Sequence, residues 1–539
     1  MVMVLRTLMW LYSPKLAARL VAALHTRSNS VPEYLRWFHS LGAATLTKDT
    51  ESFNDSQRVR MLQLLVLVWV ILVCTLYMQW YKGEQAGYWA FAVALFLAYP
   101  LVLTYSLAIF EGVGQIAQNL LHPKKFGKHL LASILESQVR RLRKKHRFTV
   151  VAVAGSVGKT STKTAVAQVL GQRYRVLYQR GNYNDRLTVP LIFFGISAPN
   201  VLNVFAWMRR LGAIESAISQ PYPYDVVVVE LGTDVLGQMR QFAYLKPDLT
   251  VLTSIAPEHM QNFTSLDDVA AEELQVFTYS KKVLANIDDI APKYLAKLQF
   301  ASYGYGKSDY RISTKAQGIQ PQTLTVTYKR TKLTTRSAIL GEPGAKSVTA
   351  AMATAHMLGM PSTEIVEAVA SVNPVAGRLQ LLEGKRESIL IDDTYNASPS
   401  AVQAALKLLY SVKSTQRIAL LGSMNELGVH SKLAHQAVGS ACDPKKLDIV
   451  VVVGQEAGRW LAPKARAMGC EVHVFTSPYA AGNFVAKRLK KGAVVLAKGS
   501  QNGVFLEEAL KPLIKHPSDT AKLVRQNQAW AIAKKKAFR

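Results

Sequence analysis

Hydrophobic positions fall into two regimes along the chain. Residues 61–81, MLQLLVLVWVILVCTLYMQWY, form one apolar run without a charge, and at 1.5 Å per residue a helix of that length reaches about 31 Å, the thickness of a bilayer's hydrocarbon core. A second uncharged run, Tyr88 to Phe110, follows after only KGEQAG. So short a connection predicts an antiparallel pair of transmembrane helices, the second kinked at Pro100. The competing reading, two buried helices of a soluble domain, would need two spans without a charge, which soluble core helices rarely have. Residues 1–25 are apolar with Arg6, Lys15 and Arg19, a composition that fits an interfacial amphipathic helix.

From Phe148 onward short apolar runs alternate with helical patterns. FTVVAVAG, DVVVVELG, LTVLTSIAP and KKVLANID predict buried parallel strands, and the amphipathic stretches between them are long enough for crossover helices. The fold class is therefore α/β with a doubly wound sheet. Residues 309–340 alternate with period two and predict a small antiparallel extension. A second α/β series follows in SILIDDTY, RIALLGSM, DIVVVVGQ, EVHVFTS and AVVLAKGS. The expected organisation is a membrane region over 1–147, a central domain over 148–376, a Rossmann-like C-terminal domain over 377–515 and a basic tail over 516–539.

Composition refines this picture. The apolar fraction of 49% is that of a folded protein, which excludes a disordered or collagen-like chain. Three cysteines, Cys74, Cys442 and Cys470, are too few and too scattered for a disulfide framework or a cysteine zinc site. The net charge of +29 favours an anionic partner. Between Lys124 and Arg147 nine basic residues face one acid, Glu136. Beside two membrane spans this stretch predicts an anionic membrane surface rather than nucleic acid as partner, a multi-pass protein of the cytoplasmic membrane, and both termini and the catalytic domains in the cytoplasm.

Candidate chemistry begins where FTVVAVA runs into Gly155-Ser156-Val157-Gly158-Lys159-Thr160, followed by a helical pattern from Ser161. A strand, a glycine turn and a helix N-terminus together present backbone N–H groups to phosphates; Lys159 would offset their charge and the Thr160 hydroxyl would reach Mg²⁺. Two residues rather than four separate the first glycine from Gly-Lys-Thr, a spacing shorter than that of the usual phosphate loop by two residues.

GSVGKTSTKT resembles the ATP-binding motif of the Mur ligase family, and its details are similar to the MurF branch. The resemblance continues in order through GNYNDRLTVPL, VVVVELGTDVLGQM, KPDLTVLTSIAPEHMQNFTSLDDVA, ANIDD, GRLQLLEG, LIDDTYNASP, LLGSMNELG and VVLAKGS, covering residues from about 148 to 515. It implies an ATP- and Mg²⁺-dependent ligase that activates a carboxylate as an acyl phosphate and joins it to an amine in cell-wall precursor synthesis. The implied substrates are a nucleotide- or lipid-linked carboxylate and an amino acid or dipeptide. It also implies roles: Glu230, at the end of a strand, on Mg²⁺ with Thr160; His259 on a second Mg²⁺; Asn286 and Asp288 on the nucleotide; Arg378 and Asp393, next to Asp392, closing over ATP; and Asn182, Asn184, Tyr395 and Asn396 near the acyl and amine substrates. For several of these an ordinary turn is the competing reading.

Three departures from the family pattern stand out. Glu273 falls where the family usually has a lysine that CO₂ carbamylates, and a glutamate supplies a carboxylate of the same charge without CO₂; Glu272 is its neighbour. Ser423 stands in place of an Asp, and Lys346-Ser347 in place of His-Asn. The UDP-sugar-binding N-terminal domain of the branch is absent, and the apolar hairpin takes its place. A membrane ligase of another wall or capsule polymer, such as poly-γ-glutamate, or an inactive scaffold on the same fold, are the alternatives. A membrane NTPase switch would not need the GNYN, DDTYNASP and NELG blocks.

Overall fold

In the computed structural model the described residues are 123–538, except 180–182, 202, 316–317 and 502, together with Thr75, Tyr77 and Tyr105. Residues from His129 onward form one compact unit. The interfacial helix expected over 1–25 and, apart from Thr75, Tyr77 and Tyr105, the runs 61–81 and 88–110 lie outside the described residues. The multi-pass membrane localisation is corrected: among the described residues no helix is long and apolar enough to cross a membrane.

The basic segment expected at lipid headgroups has a different environment. It forms helix α1 (Pro123–Lys145), whose Leu135, Val139 and Leu142 are fully buried in the core of the central domain. Arg141 pairs with Glu215 at 2.6 Å and Arg143 with Asp248 at 3.0 Å, while Glu136 accepts Arg186 at 2.6 Å. Arg141 and Arg143 are thus matched by protein carboxylates, because the helix needs its apolar stripe covered and part of its polar rim falls beside acids of the central domain.

The central sheet has nine strands: β1 (Thr149–Ala154), β2 (Val176–Tyr178), β3 (Val226–Glu230), β4 (Leu249–Leu252), β5 (Val283–Asn286), β6 (Ala301–Gly304), β7 (Tyr310–Lys315), β8 (Gln322–Tyr328) and β9 (Thr331–Ser337). Their order is β2-β3-β1-β4-β5-β6-β7-β8-β9. Pairing is parallel as far as β7 and antiparallel through β8 and β9, so the extension expected over 309–340 is present. β1 and β3 are Val-rich and covered on both faces, which is why they read as continuous apolar runs. Helix α2 (Lys159–Leu170) follows β1 and packs against α3 (Gly341–Met357), most of whose residues are buried. After β1 the chain moves outward to β2 and β3 and then crosses to β4. That reversal opens a crevice at the carboxyl ends of β1, β3 and β4, where doubly wound sheets bind ligands.

The second sheet contains β10 (Gln380–Glu383), β11 (Ile389–Asp393), β12 (Arg417–Gly422), β13 (Ile449–Val453), β14 (Val472–Phe475) and β15 (Val494–Lys498), in the order β10-β11-β15-β12-β13-β14. All pairs are parallel except β10 with β11. The register sets Asp393 beside Lys498. Within residues 516–538 a helix over Gln528–Ala537 follows the buried Leu523, and Lys534 is buried.

Candidate active site

The phosphate loop closes on the end of β4. Ser156 N–H donates to Ser254 O at 3.0 Å, Val157 N–H to Ser254 Oγ at 2.8 Å, and Ala256 N–H to Ser156 Oγ at 3.0 Å. Gly155 has φ +115°, and a Cβ there would lie 2.5 Å from Thr253 Oγ1 and 2.8 Å from Ser254 N. Only glycine fits that approach. Gly158, at φ +89°, ends the loop without a side-chain cap on α2, which leaves the first helical N–H groups for an anion.

Lys159 Nζ donates to Gly155 O at 2.5 Å and Ser156 O at 3.0 Å and lies 3.4 Å from Glu258. Burial works against its charge, but Glu258, Glu273 and Glu230 outweigh that and raise its pKa. The Thr160 hydroxyl donates to Glu230 at 3.3 Å. Lys163, one helical turn after Lys159, approaches Glu230 at 3.1 Å with both side chains almost wholly buried. The sequence signal for Lys163 was its spacing: residues four apart share a helix face.

The adjacent acids Glu272 and Glu273 have different tasks. Glu273 is 2% exposed and accepts Gly155 N–H at 2.8 Å; burial pushes its carboxyl up to about 7, against the pull of Lys159. Glu272 turns to the loop after β3, accepting Thr233 Oγ1–H at 3.1 Å, Gly237 N–H at 2.7 Å and Met239 N–H. His259, at φ +50°, is ringed by carboxylates: Glu426 at 2.9 Å from Nδ1, and Asp234 and Glu258 at 3.2 and 3.3 Å from Nε2. Burial opposes charge on this imidazole, yet the bonds to Glu258 and Glu426 hold its pKa up at about 10.

These positions bear on Mg²⁺. The Thr160 hydroxyl and the Glu230 carboxylate, side by side at the phosphate loop, fit one such ion, which takes few protein ligands when phosphates supply the rest. The second set does not fit as arranged: both ring nitrogens of His259 face carboxylates, and the bonding partner of Glu273 is Gly155. Among the described residues no group of three or more His, Cys, Asp or Glu is placed to hold a metal.

Two cavities of about 380 and 310 Å³ share Val157, Gly158, Arg378 and Ala401. The larger is lined by Asn286, Asp289, Lys346, Asp393 and Lys498, the smaller by Lys159, Thr160, Asn184, Glu230, His259, Tyr395 and Asn396. Arg378 bridges them, its guanidinium 4.3 Å from the centre of the Tyr395 ring. Asp393 faces the larger cavity and pairs with Lys498 at 2.6 Å, whereas Asp392 is wholly buried and bonded by Thr394. Asn286 Nδ2 is committed to Thr253 O and Asp289, and its Oδ1 accepts Asp288 N–H. Asp288 accepts Tyr305 N–H at 2.8 Å and Gly306 N–H at 3.2 Å, closing the turn after β6.

Lys346 pairs with Asp289 and Glu342, each at 2.8 Å, and Ser347 accepts Thr162 Oγ1–H at 3.2 Å. Ser423 Oγ accepts Ala457 N–H at 3.1 Å. Asn182 lies outside the described residues. Sequence reasoning did not single out Lys163, Asp234, Glu258, Asp289, Glu426 or Lys498. Apart from the spacing of Lys163, only the folded chain brings these to the cleft.

Residues 153–355 match the family model for the Mur ligase middle domain, and residues 377–501 the model for the Mur ligase glutamate ligase domain. The UDP-N-acetylmuramoyl-tripeptide--D-alanyl-D-alanine ligase of Bacillus subtilis is 28% identical over 376 residues, 68% of this chain and 76% of the relative. The protein of that name from Treponema pallidum is 26% identical, over 68% of this chain and 74% of its own length. Among solved structures, MurF ligase from Thermotoga maritima in complex with ADP superposes with a TM-score of 0.58 at 24% identity, covering 71% of this chain and 83% of that one. Acinetobacter baumannii MurF gives 0.58 at 22%, over 70% and 79%. These structures share the fold.

Proposed function

The chain belongs to the Mur ligase family and is an ATP-dependent amide ligase, and from that premise we propose that it joins a UDP-linked muramoyl peptide to a D-alanyl-D-alanine-type dipeptide in peptidoglycan synthesis. The observation that carries the reading is the cleft itself, in which the phosphate loop and Glu230 from the central domain meet Arg378, Tyr395 and Asn396 from the C-terminal domain. The printed names of the relatives supply the substrate class.

In this reading ATP lies along the larger cavity with its phosphates on the N–H groups of residues 158–160, at the uncapped start of α2. Lys159 gives up the carbonyls of Gly155 and Ser156 to meet the transferring phosphoryl group, and Arg378 approaches it from the other side. The carboxylate of the acyl substrate attacks that group, the bond from the γ-phosphorus to the bridging oxygen breaks, and ADP leaves behind an acyl phosphate. The incoming amine then attacks the acyl carbon, a tetrahedral intermediate collapses, and phosphate leaves. Asn184 and Asn396 line the cavity where the carboxylate and the amine would meet. Glu258, Asp234 and Glu426 line that cavity beside His259, and one of these carboxylates takes the proton that the ammonium surrenders. Mg²⁺ would be held by Thr160 and Glu230, where it supplies charge neutralisation of the phosphates. Glu273 occupies the position of the family's carbamylated lysine and holds Gly155 N–H of the phosphate loop, so no CO₂ is needed.

The test is mass spectrometry of the product. The full chain with ATP, Mg²⁺ and UDP-N-acetylmuramoyl-tripeptide should release ADP and form an amide with D-alanyl-D-alanine. Formation of product with other amines alone would reassign the dipeptide, and ADP release that ignores every carboxylate would remove the ligase reading.

A further inference from the structure

The C-terminal segment lies beyond residue 501, where the match to the family's C-terminal domain ends, yet it reaches the back of the cleft. We propose that residues 523–534 form a bracket that sets the position of the loop carrying Tyr395 and Asn396, with Arg525 as its positioning residue. The inference rests on the cleft being the ligase site.

Three observations carry it. Arg525 Nη2–H donates to Thr394 O at 2.6 Å and Nη1–H to Tyr395 O at 3.0 Å, while Nε and Nη2 hold the two oxygens of Glu507 at 3.0 and 2.7 Å. Lys498 donates to the next carbonyl, Asn396 O, at 3.1 Å. All three successive carbonyls of the loop are therefore gripped from behind, and the side chains of Tyr395 and Asn396 are left to face the cavity.

The grip is itself braced. Arg525 is 6% exposed and Glu507 fully buried; Lys534 bonds Arg525 O and Glu508, each at 2.7 Å, and Glu507 at 2.9 Å. Arg525 also holds a left-handed backbone, φ +57°, which a side-chain-bearing residue keeps only where its surroundings fix it. Lastly, the same segment wedges the hinge between the two sheets. A Cβ on Gly377 would stand 2.9 Å from Val524 Cγ1 and 3.1 Å from Tyr395 N, and Tyr395 N–H donates to Gly377 O at 3.1 Å. Arg378 follows directly and stacks on Tyr395.

A planar fork can serve two carbonyls and a carboxylate together, whereas an ammonium on a flexible stem cannot. Arg525→Lys in the full chain keeps the charge for Glu507 and loses the fork. Should that variant not fold, the neutral pair Arg525→Gln with Glu507→Gln leaves no unmatched buried charge between the two positions. Val485→Ala, a core truncation in the helix Pro478–Arg488, controls for lost stability.

The bracket predicts that amide hydrogen exchange over 377–398 accelerates at least tenfold in the Arg525 variant and not in Val485→Ala. Substrate-dependent ADP release should fall at least tenfold in kcat, with the ATP dissociation constant changed less than threefold because the phosphate loop is untouched. Equal exchange and turnover in the Arg525 variant and the control, or turnover within twofold of the unaltered chain, would overturn it. Exchange needs no substrate, so a failure of the muropeptide reading remains distinguishable from a failure of the bracket.

Discussion

Replacing Glu273 by glutamine should make the protein more stable and inactive at once. The carboxyl is buried, and its pKa stands at about 7 against an ordinary 4.5. An acid whose folded pKa lies above its unfolded one holds its proton more tightly when folded. Its contribution to stability is thus full below about pH 4.5 and is lost as pH rises through about 7. The interval from 4.5 to about 7 corresponds to ~3 kcal/mol at pH 8. Glutamine never ionises and keeps an oxygen for Gly155 N–H. At pH 8 the variant should therefore unfold roughly 6–12 °C above the unaltered chain, and the two midpoints should converge near pH 5. Scanning calorimetry at both pH values reads the difference, and ADP release reads the loss of function. A gap of the same size at pH 5 and pH 8, or a variant with full turnover, would refute the reasoning that a costly buried carboxylate is kept for the chemistry.

Four further outcomes are expected. Lys159→Ala should lower substrate-dependent ADP release by on the order of 10²–10³ with an unchanged circular dichroism spectrum, and normal release would remove the ATP assignment. Turnover of the unaltered chain should be the same in bicarbonate-free and bicarbonate-supplemented buffer, since a glutamate needs no CO₂; stimulation by bicarbonate would contradict the place given to Glu273. Glu272→Ala strips the acceptor from Thr233, Gly237 and Met239, and with an unsatisfied buried donor costing ~1–3 kcal/mol its melting midpoint should fall by several degrees, while an unchanged midpoint would deny the loop its anchor. Gly377→Ala meets both a φ of +67° and the Val524 contact, so turnover should drop severalfold as Arg378 shifts, and activity equal to that of the unaltered chain would show the hinge to be slack.

What the sequence disclosed follows from which forces are local. The long parallel strands, such as VVVVE and IVVVV, are buried on both faces and announce themselves as apolar runs, and the phosphate loop is legible because strand, glycine turn and helix are contiguous. Strands β2 and β10 give no such signal: Val176–Tyr178 is short and partly exposed, and Gln380–Glu383 is an antiparallel edge. The separate tasks of Glu272 and Glu273 are invisible in an EE pair, since they depend on which neighbour each helix position meets in space. The same holds for His259, whose partner Glu426 comes from the other sheet. Arg525 and Lys534 read as solvated charges of a basic tail because Glu507 and Glu508, which bury them, sit in a short turn with no distinctive pattern. Residues 124–147 were read only in part for a related reason: charge counting found the basic face of α1 and overlooked the buried stripe of Leu135, Val139 and Leu142.

The central claim is that ATP activates a carboxylate, and transfer of oxygen tests it most directly. With ¹⁸O in the carboxylate of UDP-N-acetylmuramoyl-tripeptide, ATP and D-alanyl-D-alanine, each turnover of the full chain should move one labelled oxygen into the phosphate released, because the bond broken when the amine attacks is the one between the acyl carbon and that oxygen. Amide formed with unlabelled phosphate, or phosphate released without amide, would contradict the account.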